Sequence, residues 1–191
     1  MTQTDELPPP PEVVHDLAEA CTRFVQESIG VDLDYTQDTL PLLDHYLGIA
    51  SDSDDDVLAL VIPAAGAYFG EVARRHVGTG RWVDFGSKYE DWRLEFDPGP
   101  LSLNPVGIVF ECAISGSADG WGAEFQVPPK YRDEVREAVS VLGDVREEDY
   151  YTLAVRLEVL QLVHENLVRF ANSARLVRAA GDGDDDVSKP N

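Results

Sequence analysis

The stretch DDDVLALVIPAAGAYFGEVARRHVGTGRWVDF, residues 54–85, contains the change of period that sets the fold class. From Asp54 to Val77 it reads as a strongly apolar helix, with Gly66 and Gly70 four residues apart among Ala64, Ala65, Ala67 and Ala73. Small side chains at that spacing lie on one helical face and let a second element approach closely, so this is the expected central buried helix. The acidic run SDSDDD that precedes it suits a helix N-terminus, where anions are favoured. Pro63 is expected to kink the helix or to mark its true start. Gly78 and Gly80 then interrupt the pattern, and a period of two replaces the helical one. Arg81–Phe85 reads as a strand with Arg81, Val83 and Phe85 on one face and Trp82 and Asp84 on the other.

Downstream, Tyr89–Phe96 reads as a second strand after a Gly86-Ser87 turn, with Trp92, Leu94 and Phe96 on one side and Arg93, Glu95 and Asp97 on the other. The DPGP run at 97–100 is a turn. Val106–Ile114 reads as a third strand with Ile108, Phe110, Cys112 and Ile114 in line. The Gly-rich loop 115–122 leads to a short fourth strand at Ala123–Val127. Lys130–Leu142 and Glu147–Val177 read as helices, the first stopped by Gly143, the second with a stripe of Leu153, Leu157, Leu160, Val163, Leu167 and Phe170. Upstream, Glu12–Ile29 is an amphipathic helix stopped by Gly30, and Leu40–Leu47 a second one closed by Gly48. The expected architecture is α+β: N-terminal helices, a small three- to four-stranded antiparallel sheet, and C-terminal helices. Residues 12–180 form a single domain, 1–11 a disordered arm, and 181–191 a disordered acidic tail.

The chain has 191 residues, with 15 Lys and Arg against 36 Asp and Glu, a formal net charge of −21. At roughly 150 residues per domain this is one domain with room for a small subdomain. The two termini carry few of those charges, so the body itself is acidic. Such a surface attracts basic partners and disfavours nucleic-acid backbones and anionic membranes. The longest apolar stretch, Val57–Gly70, is shorter than the roughly 20 residues a membrane span needs. No signal peptide is visible, and the two cysteines, Cys21 and Cys112, are expected to be reduced core thiols. The expected location is cytoplasmic.

Motifs for chemistry are sparse. Glu12-x-x-His15 has the spacing of a di-iron ligand pair but no second such motif accompanies it. Asp52, Asp54 and Asp56, and again Asp182, Asp184 and Asp186, alternate as in a calcium loop, but Val57 and Val187 replace the required glycine. Ser115-Gly116-Ser117 does not open into a helix as a nucleophile elbow would. No metal ligands, cofactor or catalytic residues are therefore assigned. Glu71 stands out as a carboxylate within an apolar helix, three residues after Tyr68 and four before Arg75. These three are the candidate cleft residues if the protein is an enzyme or a small-ligand sensor. Trp82, Asp84, Glu95, Asp97 and Trp121 are the candidate contact residues if it is an interaction protein.

The segment GAYFGEVARRHVGTGRW, 66–82, resembles a signature of a small uncharacterised bacterial domain family: a G-x-Y-x-G-E-V helix, a glycine break, then a Trp-containing strand. VDLDYTQDTLPLLDHYL, 31–47, is similar to the usual lead-in of that family. The resemblance spans roughly residues 12–115, implies a bacterial cytoplasmic α+β domain, and implies no catalytic residue. The function expected from charge and composition is a non-enzymatic acidic protein that binds a basic protein partner, a toxin-neutralising immunity protein being the concrete version. The alternatives are the enzyme or sensor with a cleft at Glu71, and an adaptor or assembly subunit that associates through its long C-terminal helix.

Overall fold

Fourteen consecutive residues, Val61–Arg74, are buried in the middle of one helix, and the rest of the chain is arranged around them. The computed structural model describes residues 7–140 and 146–181. The buried run belongs to α3 (Asp55–His76), preceded by α1 (Glu12–Ile29) and α2 (Leu40–Ser51). Three short strands follow, β1 (Thr79–Val83), β2 (Arg93–Asp97) and β3 (Leu101–Leu103), and then α4 (Pro105–Ile114), α5 (Arg132–Ser140), α6 (Glu147–Tyr150) and α7 (Leu153–Gly181). The architecture is α+β, with one antiparallel sheet in the order β1-β2-β3.

Helix α1 forms as its periodicity predicts. Val14, Ala18, Cys21 and Val25 are buried against α3, and Gly30 ends the helix at φ 73°, where glycine meets no Cβ clash. Helix α2 runs on through Gly48 to Ser51 instead of closing there, because Gly48 has no clash to relieve and its φ is not positive. Helix α3 also runs through Pro63. Ala59, whose carbonyl loses its usual partner, lies in the exposed first turns, where water can replace it. The whole helix is 22 residues, long and apolar enough to cross a bilayer by length and composition, unlike the shorter run counted from sequence. Its apolar window is 72% buried inside the fold.

The small residues of α3 serve the close approaches expected of them. A Cβ on Gly66 would sit 2.6 Å from the Cα of Val106 in α4, and one on Gly70 would sit 2.4 Å from the Trp82 ring. Thus α4 and β1 are both held against α3 closer than any side chain there would allow.

The third strand expected at Val106–Ile114 is instead helix α4. The run is apolar at almost every position, so it carries no period to read, and the deciding signals are at its start. Asn104 accepts hydrogen bonds from the backbone N–H of Val106 (2.9 Å) and Gly107 (3.2 Å), and Pro105 occupies the first turn. The third strand is Leu101–Leu103. The second strand is shorter than expected: Tyr89–Asp91 form a single 3₁₀ turn, and Trp92 lies ahead of β2, with its indole N–H donating to the Gly86 carbonyl (2.8 Å). No fourth strand is present among the described residues. Only Gln126 pairs with β3, exchanging two backbone hydrogen bonds with Ser102.

The long C-terminal helix expected from Glu147 is broken at Tyr151-Thr152 into α6 and α7, and Asp44 of α2 accepts from the N–H groups of Leu153 and Ala154 at the start of α7. Five stripe residues of α7, from Leu153 to Leu167, are buried, whereas Phe170 is 40% exposed. Leu142, Gly143 and most of the two termini lie outside the described residues. Both cysteines are free and buried.

Candidate functional site

The residues singled out around Glu71 do come together, but as a sealed network. The Glu71 side chain is 2% exposed. Its Oε1 accepts from the Trp82 indole N–H at 2.8 Å and lies 2.9 Å from Arg74 Nε. Its Oε2 accepts from Arg74 Nη2 at 3.2 Å. Arg74, itself 5% exposed, spends its remaining donors on the carbonyls of Gly80 (3.4 Å) and Pro8 (3.0 Å). A single buried ion pair therefore ties α3 to β1 and to the segment before α1. The C-terminal end of α3 therefore lies beside the chain that enters α1.

Helical spacing explains the geometry. Glu71 and Arg74 are three apart on α3, and the turn at Val77-Gly78 brings β1 back over the same face. Arg75, 39% exposed, reaches only to 3.9 Å from Glu71. It lies over the Tyr35 ring, with its guanidinium carbon 3.9 Å from the centroid, and Tyr35 stacks in turn on Tyr68 at 4.7 Å. Tyr68 is fully buried. Its hydroxyl accepts from the Tyr35 N–H (2.9 Å) and shares a hydrogen bond with Thr39 (3.1 Å). Burial raises the Tyr68 hydroxyl above its ordinary pKa, so it remains a neutral hydrogen-bonding group.

Tyr35, missed at the sequence level, is the hub of this arrangement. It has a positive φ of 62°, donates its hydroxyl to Glu19 (2.9 Å), and places its carbonyl 2.9 Å from His76 Nε2. A second buried pair was also missed: Glu111 of α4 with Arg156 of α7, the latter also donating to the Tyr150 hydroxyl (2.7 Å). Neither partner stands out in the sequence, because they are 45 residues apart and only the packing of α7 on α4 joins them.

The five contact candidates have different fates. Trp82 is 5% exposed, on the inward face of β1 with its N–H on Glu71, so it is a core residue and cannot present a contact surface. Trp121 is half-buried, with its ring 4.8 Å from Phe110, and its carbonyl is so close to α4 that a Cβ on Gly107 would sit 2.3 Å from it. Asp84 and Asp97 are exposed. Glu95 shares the outward sheet face with Arg81 directly across the ladder, at 2.9 Å. That face is mixed in charge, since Arg81 and Arg93 stand among the carboxylates.

The acid surplus lies elsewhere. Between residues 12 and 60 there are twelve Asp and Glu against a single Arg, and ten of the twelve are exposed. They occupy α1, the 31–39 connection and the α2–α3 turn, next to Val57 and Leu60, which are 41% and 65% exposed. A concavity of about 320 Å³ between α1 and the 31–39 connection is lined by Glu19, Glu27, Asp32 and Tyr35, together with Arg23, the single Arg of this region. Counting charge by segment, instead of over the whole chain, is the signal that finds this surface. Among the described residues, no group of His, Cys, Asp and Glu is arranged to hold a metal ion. No family model, curated protein or solved structure matches the chain.

Proposed function

We propose that the protein is a non-enzymatic, cytoplasmic interaction protein that binds a basic protein partner, with a toxin-neutralising immunity protein as the concrete version. The observation that carries this reading is the concentration of exposed carboxylates on α1, the 31–39 connection and the α2–α3 turn, against a single Arg. Charges of one sign collected on one part of a surface steer a complementary partner and raise its association rate toward about 10⁸ M⁻¹s⁻¹ at low salt. Exposed Val57 and Leu60 beside Asp54, Asp55 and Asp56 supply apolar contact within the same charged region. The reading of Glu71 as a general acid or base finds no comparable support, because both its oxygens are held by Arg74 and Trp82.

The test is capture from an extract of the source cells at low and high salt, with two charge-reversal variants. One reverses Glu27, Asp32, Asp52 and Asp54 to Lys; the other reverses Asp84 and Asp97. A stoichiometric basic partner that is retained at low salt, released at high salt, and lost by the first variant alone supports the proposal. Partners indifferent to both variants and to salt would sink it.

A further inference from the structure

The segment expected as a fourth strand is a single bridge to β3 at Gln126, and its outer side faces a helix. Ser102 and Gln126 exchange both their backbone hydrogen bonds, at 3.0 and 2.8 Å. In an antiparallel pair the residues on either side of such a position point their N–H and C=O the other way. The main-chain groups of Phe125 and Val127 accordingly face away from β3, and they make no hydrogen bond among the described residues.

Across from that edge stands α5. Arg132, Val135, Arg136 and Val139, the last three lying three, four and seven residues on from the first, share a single helical face, and they form the opposite wall of a groove of about 780 Å³ whose floor side is Phe125 to Val127. Val139 is 37% exposed within it. The lining carries two arginines against one carboxylate, Glu124, in a chain with a large overall acid excess. Arg136 pairs with Asp133, while Arg132 has no carboxylate partner among the described residues.

We propose that this groove binds an extended peptide from a protein partner, which adds to the sheet as its next strand alongside Phe125 and Val127. Main-chain hydrogen bonds to the two unpaired residues supply the affinity. Alternate apolar side chains of the peptide lie against Val135 and Val139, and a peptide carboxylate pairs with Arg132. This site is independent of the acidic surface described above and takes a ligand of opposite charge.

The probe is a library of displayed random peptides of about ten residues, selected against the full chain. Enriched peptides are expected to alternate apolar residues and to carry a carboxylate. Binding is expected to slow amide exchange at Phe125 and Val127. Arg132→Glu and Val139→Asp, both at exposed positions and so compatible with folding, should each weaken binding by roughly tenfold or more. N-methylation of alternate peptide residues, which removes donors and leaves the side chains in place, should do the same. Failure to enrich any peptide would overturn the proposal, as would binding that leaves those two amides exchanging as in the free chain. Basic peptides that respond only to the Glu27, Asp32, Asp52 and Asp54 reversals would overturn it while supporting the acidic-surface reading.

Discussion

Replacing Glu71 with Ala is the perturbation with the largest expected effect. The substitution leaves the Arg74 guanidinium charged at 5% exposure with only two carbonyls for partners, and it leaves the Trp82 N–H without an acceptor. Removing one member of a buried ion pair costs about 3–5 kcal/mol, because the surviving charge stays desolvated. Against the roughly 5–15 kcal/mol of a typical domain that is a large fraction. It corresponds to a drop of roughly 6–20 °C in Tm for a chain of this size. Glu71→Gln keeps one oxygen for the Trp82 N–H but replaces the other with an NH2 that cannot accept from Arg74, and it leaves the Arg74 charge unpaired, so its cost should approach that of Glu71→Ala, about 3–5 kcal/mol. A double replacement, Glu71→Leu with Arg74→Met, removes both charges and should recover much of the loss. Urea unfolding followed by the fluorescence of Trp82 and Trp92, both buried, reads all three variants. A Glu71→Ala chain within about 1 kcal/mol of the parent would refute the assignment of Glu71 as a structural anchor. So would a double variant no more stable than Glu71→Ala.

Other substitutions test the packing and the caps. Gly48→Ala should stabilise by about 0.5–1 kcal/mol, since its Cβ meets nothing within 4 Å in mid-helix, whereas Gly66→Ala should cost about 1–3 kcal/mol by forcing α4 away from α3; thermal denaturation distinguishes the two signs. Burial raises the Asp44 carboxyl from 3.8 to about 6. A raised acid favours the fold most below its unfolded pKa and loses that benefit as pH rises through the folded one. The stability of the parent relative to Asp44→Asn should therefore fall by up to about 3 kcal/mol between pH 4 and pH 7.5, and a flat difference would contradict the assignment. Asn104→Ala should cost about 2 kcal/mol in urea unfolding, because Asn104 caps α4 and also donates to the carbonyls of Tyr89 and Glu90.

The parts of the fold legible in the sequence are those with a clean period or a punctuating residue. Helix α1 combines a regular apolar stripe with Gly30, and α3 shows its small-residue face at Gly66 and Gly70. The break to strand at Gly78–Gly80 is explicit as well. The helix at 105–114 was not legible by pattern, because an element buried on nearly every side leaves no polar face to count against. Its identity rests on Asn104 and Pro105, two residues outside the apolar run. The alternation along β2 predicts an inward face at Leu94 and Phe96, and both are buried. The same alternation sets Trp82 on the face opposite Arg81, and that face is the inward one. Its partner Glu71 makes that clear only once β1 is folded back over α3. The long-range pairs, Glu111 with Arg156 and Tyr35 with Tyr68, depend on which helices meet, and no local spacing encodes that. The acidic region, by contrast, was countable from the start, and whole-chain charge obscured it.

The encirclement of α3 has a consequence for how the chain tolerates change over time. A helix at the surface accepts substitutions in a rhythm, permissive on one side and strict on the other, and α1 should behave in that way. From Val61 to Arg74 there is no permissive side, so tolerance there should form an unbroken plateau of constraint. Inserting one residue would turn everything beyond it by about 100°, carrying Glu71 away from Trp82 and Gly66 away from Val106 together. The length of this helix is thus as fixed as its composition, and lineages that lengthen or shorten the protein should do so in the connections on either side of it.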